Sequence, residues 1–169
     1  MSQTVPLPGL RATRILARRL ARVLLGRDLI LLAGELGTGK TTFTRYLAAA
    51  LSIEPGWVSS PSFTLVQRYP APEGRPALIH VDLYRLAGEG ELPGLGLEEI
   101  LESNDIVVVE WPRVGEALFA RCGRPLWRLR FSESGGVRRV EVDGPRPLTP
   151  ETPRRGVPRR SSPPPPRPR

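Results

Sequence analysis

Residues 29–51 read LILLAGELGTGKTTFTRYLAAAL, and this stretch decides the fold. Asp28–Ala33 is a short, nearly continuous apolar run, the pattern of a strand buried on both faces. The run breaks at a glycine loop. From Thr41 to Leu51, Phe43, Leu47 and Leu51 recur on one side of a helix. Strand, glycine loop and helix in that order are the grammar of an α/β domain.

Within the loop, Gly34-Glu35-Leu36-Gly37-Thr38-Gly39-Lys40-Thr41 satisfies the pattern G-x-x-x-x-G-K-[ST]. Its glycines let the chain curl until successive backbone N–H groups point inward, and the following helix adds the positive end of its dipole. Both features suit phosphate. Lys40 is placed to reach the β- and γ-phosphates of a nucleotide, and the Thr41 hydroxyl to take one position in the octahedral shell of Mg²⁺. The chain's basic residues are 24 arginines and one lysine, and that lysine stands where the motif requires one. The expected ligand of Gly34–Thr42 is Mg·ATP.

A phosphate loop needs an acid at the end of a nearby strand to complete the metal shell and position water. Two apolar runs end in acids: Ala77–Leu83 carries Asp82, and Asp105–Val109 is followed by Glu110. The carboxyl ends of parallel strands line one crevice, so both acids converge there with the loop. His80, the single histidine, alternates with Asp82 and shares its face; its apolar neighbours favour a structural role over a catalytic one. Trp111 is either core or a platform at the mouth. Trp57–Tyr69 reads as a loop leading into a short strand around Phe63 and Leu65, with Ser62 and Thr64 as hydroxyls able to sense a γ-phosphate.

Working outward, Thr13–Leu25 repeats apolar residues at helical spacing, Leu97–Leu101 reads as a short helix, and Leu126–Phe131 with Val137–Val142 reads as a β-hairpin. The expected architecture is an α/β three-layer domain of the P-loop NTPase type over residues 1–143, with a mostly parallel sheet. The 169 residues suffice for one domain. No apolar run approaches a membrane span, the N-terminus lacks a signal-peptide layout, and the lone Cys122 cannot form an internal disulfide. A cytoplasmic location follows as the expectation. Residues 144–169 hold seven arginines against one acid, so +6 of the formal +8 lies there, together with ten of the 20 prolines. Such a segment buries too little apolar surface to offset its ordering entropy, and we expect a disordered tail that RNA or an acidic partner could contact.

Four segments in order and spacing, GELGTGKTTFTR, SPSFTLVQRY, HVDLYRL and VVVEWPR, resemble the TsaE family of bacterial tRNA-modification ATPases, and the resemblance covers about Val5–Val142. It implies a slow, partner-dependent ATPase acting on a TsaD–TsaB complex, which forms N6-threonylcarbamoyladenosine in tRNAs reading ANN codons; tRNA is engaged only through that complex. By the same resemblance the nucleotide site is Glu35, Leu36, Gly37, Thr38, Gly39, Lys40, Thr41 and Thr42, with Thr13 bordering the base. Thr41 and Glu110 hold Mg²⁺, Asp82 supports hydrolysis, and Thr64 is the switch-like hydroxyl. The Arg/Pro tail lies outside the pattern.

Two other readings fit a phosphate loop. A small-molecule kinase needs arginines over an acceptor, for which Arg113, Arg121 and Arg124 are available. An ATP-gated binding module needs only a conformation that responds to nucleotide. A regulatory GTPase is excluded, because its base-recognition motif requires a lysine after the loop and none follows Lys40.

Overall fold

The computed structural model describes residues 2–54, 56 and 58–148. Among these residues seven strands form one sheet: β1 (Ser2–Pro6), β2 (Leu29–Ala33), β3 (Val66–Tyr69), β4 (Leu78–Asp82), β5 (Ile106–Glu110), β6 (Leu126–Ser134) and β7 (Val137–Asp143). Their spatial order is β1-β7-β6-β2-β5-β4-β3. The inner strands β6, β2, β5 and β4 are parallel, while β7, β1 and β3 add antiparallel edges. The expected hairpin is present as β6 and β7, and it joins the main sheet through β6 beside β2.

Helices α1 (Leu10–Ala21) and α2 (Lys40–Ala50) cover one face, and α3 (Leu97–Glu102) and α4 (Glu116–Arg121) the other. The apolar run in β2 feeds both layers. Ile30 and Leu32 pack with Leu16, Leu20, Phe43 and Leu47, whereas Leu29 and Leu31 pack with Val81, Leu101 and Phe119. That is why the run is continuous rather than alternating. Among the described residues no helix is long and apolar enough to cross a membrane.

The structure corrects the sequence reading in two places here. The short strand expected around Phe63 and Leu65 begins only at Val66; residues 62–64 form a turn, and Trp57 lies outside the described residues. The domain also continues past Asp143. Leu148 is buried in the core under α1, and Arg146 Nε donates to the Val23 carbonyl at 2.7 Å. Its Nη2 pairs with Asp28, a carboxylate with no solvent exposure that also accepts from the Leu25 N–H at 2.6 Å and from Trp127 Nε1 at 3.2 Å. A Cβ at Gly144 would lie 2.2 Å from the Trp127 ring, so glycine is required for the chain to pass. The expected tail thus starts with a segment anchored by Gly144, Arg146 and Leu148, and its remainder, 149–169, lies outside the described residues.

A buried carboxylate that loses its cation is left uncompensated, which costs several kcal/mol when both groups are enclosed and less when one is partly exposed, as Arg146 is. A chain ending at Asp143 is therefore expected to be about 3 kcal/mol less stable than one ending at Leu148. In thermal melts this appears as a drop of roughly 6–12 °C. Equal melting temperatures would show that residues 144–148 contribute nothing.

Candidate nucleotide site

The C-terminal ends of β2, β4 and β5 meet at one edge of the sheet. Leu32 stands opposite Glu110, and Glu110 opposite Asp82, so the loop after β2 and both strand-end acids share a crevice. The loop follows the path its glycines permit. Gly34 has φ 139°, and a Cβ there would sit 2.4 Å from the Phe131 carbonyl oxygen, so the loop closes tightly against β6. Gly39, at φ 104°, turns the chain into α2. Thr38 braces the curve by donating its hydroxyl to the Glu35 carbonyl at 2.7 Å.

Lys40 is the first residue of α2 and is buried. Its Nζ donates to the carbonyls of Gly34 at 2.7 Å and Glu35 at 2.9 Å, and it lies 3.9 Å from the centre of the Trp111 ring. Burial lowers the Lys40 pKa from its ordinary value, against the opposing pull of Glu110, Asp82 and Glu35. The ammonium is thus loosely solvated and held by neutral oxygens, which a polyphosphate would outbid. Trp111 is held there at a cost: its backbone is left-handed, at φ 56°, a conformation disfavoured for a bulky residue. Its ring contacts Tyr84 at 4.8 Å between centroids.

The acids have separate surroundings. Glu110 Oε2 accepts from the Thr41 hydroxyl at 3.0 Å, and its Oε1 lies 2.9 Å from His80 Nε2. Asp82 Oδ2 accepts from Ser60 Oγ at 2.6 Å and Ser62 Oγ at 2.8 Å, and Oδ1 from the Tyr84 N–H at 3.0 Å. The two serine hydroxyls also touch each other, at 2.6 Å. Together these groups enclose a cleft of about 220 Å³.

Leu36, Gly37, Gly39, Lys40, Thr41, Thr42, Asp82 and Glu110 all line this cleft. Glu35 and Thr38 shape the loop from outside its lining. Thr13 is buried within α1 and is not brought to the cleft. Thr64 is not brought there either: it is exposed and lines a neighbouring hollow with Ser59, Phe63 and Tyr69. The hydroxyls that face Asp82 are those of Ser60 and Ser62. Ser62 thus meets the expectation from the sequence and Thr64 does not, while Ser60 and the Tyr84 N–H join the site with no sequence signal to mark them.

Thr41 Oγ1 and Glu110 Oε2 are hard oxygen donors within a hydrogen bond of each other, next to the loop that would hold phosphates. Among the described residues no group of three or more His, Cys, Asp or Glu forms an all-protein cage. Such a donor set fits Mg²⁺, which takes one or two protein oxygens and fills its shell with phosphate and water.

A profile described as threonylcarbamoyl adenosine biosynthesis protein TsaE matches residues 7–140. The chain belongs to the TsaE family. Over 137 residues it is 42% identical to the tRNA threonylcarbamoyladenosine biosynthesis protein TsaE of Streptomyces coelicolor, across 78% of this chain and 89% of that one. The protein of the same name from Mycobacterium tuberculosis is 39% identical over 125 residues, across 70% and 71% of the two chains. The crystal structure of Bacillus subtilis YdiB shares the fold, with a TM-score of 0.65 over 84% of each chain at 24% identity. The TsaE match spans every cleft-lining residue named above, from Leu36 to Trp111.

Proposed function

We propose that this chain binds Mg·ATP in the cleft and hydrolyses it, serving N6-threonylcarbamoyladenosine formation in tRNA by acting on a TsaD–TsaB complex in the cytoplasm. The observation that carries the reading is the Thr41–Glu110 hydrogen bond beside a complete phosphate loop. Membership of the TsaE family, whose curated relatives bear names from that biosynthesis, supports the pathway.

In this reading the backbone N–H groups of residues 37–42 and the N-terminus of α2 cradle the phosphates. Lys40 leaves the Gly34 and Glu35 carbonyls for the phosphate oxygens, and Trp111 keeps its ammonium from bulk water. Thr41 and Glu110 hold Mg²⁺, which neutralises charge on the phosphates. Asp82 orients water through the acceptor site left on Oδ1 beside the Tyr84 N–H, while Ser60 and Ser62 hold its Oδ2.

A kinase reading gains no support from its candidate arginines. Arg124 is committed to the backbone carbonyls of Arg27, Ile100, Leu101, Ser103 and Asp105, and Arg121 to that of Ala117. Arg113 lines a different cavity.

The test is ATP hydrolysis by the purified chain, alone and with TsaD and TsaB, beside its Lys40→Ala variant. Stimulation by the partners that the variant lacks is expected. Phosphate transfer to a small acceptor, indifferent to the partners, would replace the ATPase reading with a kinase.

A further inference from the structure

His80 has no solvent exposure and sits in β4 between Leu78 and Asp82, on the face that packs under α1 and α2. A leucine there would match its neighbours and bury no polar atom. The imidazole instead leaves Nδ1 enclosed with no partner among the described residues, an unfavourable arrangement that something else must justify. Its other nitrogen supplies the reason. Nε2 lies 2.9 Å from Glu110 Oε1, and since a carboxylate oxygen only accepts, Nε2 carries the proton.

The register explains why this bond forms. His80 stands opposite Val108 in parallel pairing, two residues before Glu110, so the two side chains share a face and the carboxylate reaches back to the ring. With Oε1 fixed by His80, Oε2 points to the Thr41 hydroxyl, 3.0 Å away. A glutamate without this anchor samples several rotamers and presents either oxygen.

We propose that His80 is a positioning residue for the metal carboxylate: its Nε2–H holds Oε1 of Glu110, so that Oε2 meets Thr41 and the Mg²⁺ of the bound nucleotide. The inference rests on the Mg·ATP reading of the cleft. Hydrogen bonds to ligating carboxylates tune metal affinity by about 10–100-fold, which sets the expected effect.

Glutamine places its amide nitrogen at the distance of Nε2, whereas asparagine places its own nearer to Nδ1, so the two variants separate a directed donor from mere polarity. ADP binding to the full chain, measured by calorimetry across a Mg²⁺ series and in EDTA, reads the effect without turnover. His80→Asn should raise the half-saturating Mg²⁺ concentration by about 10–100-fold, and His80→Gln should stay close to wild type. ADP affinity in EDTA should be the same for all three. In a Glu110→Gln background His80→Asn should add nothing further, because the route through the carboxylate is gone. Equal Mg²⁺ dependence of the Asn and Gln variants, or an Asn effect that persists without Glu110, would overturn the positioning role while leaving the Mg·ATP reading intact. If wild-type binding ignores Mg²⁺ altogether, the reading itself fails and the inference with it.

Discussion

Lys40→Ala should weaken ATP binding by about 100-fold, equivalent to ~2.7 kcal/mol, while the domain stays folded. The size follows from what the ammonium exchanges. In the free cleft it is bound to two neutral carbonyls and shielded by the Trp111 ring, having already given up most of its hydration. Moving to anionic phosphate replaces neutral carbonyl acceptors by charged ones at little further desolvation cost, so a charge–dipole contact becomes a full ion pair in a cleft where the effective dielectric is low. Lys40→Arg should recover little, because a planar guanidinium cannot follow the path of a slender stem between Trp111 and the loop. Calorimetric titration with ATP, with a melting curve for each variant, checks this. Unchanged affinity in a folded Lys40→Ala protein would remove the phosphate-cradle assignment.

The centre of this molecule was legible because local signals and tertiary structure agree there. An apolar strand, a glycine loop and an amphipathic helix specify β2, its turn and α2 within 23 residues, and the acids at the ends of β4 and β5 follow from α/β topology. What stayed hidden was decided by partners distant in sequence. The strand β1 has too little apolar alternation to announce itself and exists because β7 offers it an edge. The end of the domain looked like a change of composition at Gly144, yet Arg146 is held by Asp28, 118 positions earlier. The misplacement of Thr64 has a local cause of the same kind. Ser62 and Thr64 differ by two residues, and an extended chain would present both hydroxyls on one side. The turn between Pro61 and Leu65 breaks that alternation: the Leu65 N–H closes on the Pro61 carbonyl at 2.6 Å, and Leu65 adopts φ 62° without being glycine. Its carbonyl then accepts from the Asp82 N–H at 2.9 Å, which sets Ser60 and Ser62 over the Asp82 carboxylate and Thr64 outside. No residue type in that turn signals a positive φ, so composition alone gave no warning.

Glu110→Gln should abolish most Mg²⁺-dependent turnover, by about 10²–10³-fold, with stability and Mg²⁺-free nucleotide binding near wild type. Glutamine is the informative change. Its amide oxygen still accepts from His80 Nε2–H, so the buried imidazole keeps its partner, whereas Glu110→Ala strands that donor at a cost of about 1–3 kcal/mol and mixes a folding defect into the kinetics. What the amide cannot supply is negative charge at the position next to Thr41 Oγ1, where the metal shell needs it. Asp82 is a poor substitute. Its Oδ2 is held by Ser60 and Ser62 and its Oδ1 accepts from the Tyr84 N–H, whereas Glu110 Oε2 already meets the Thr41 hydroxyl. Steady-state hydrolysis across a Mg²⁺ series, in the presence of the stimulating partners, separates the two acids. A Glu110→Gln enzyme that regains full rate at high Mg²⁺ would show that Glu110 contributes metal affinity alone. A rate that stays low at saturation would show that the carboxylate also fixes where the metal sits relative to the phosphates. Wild-type behaviour at every Mg²⁺ concentration would move the metal away from Glu110.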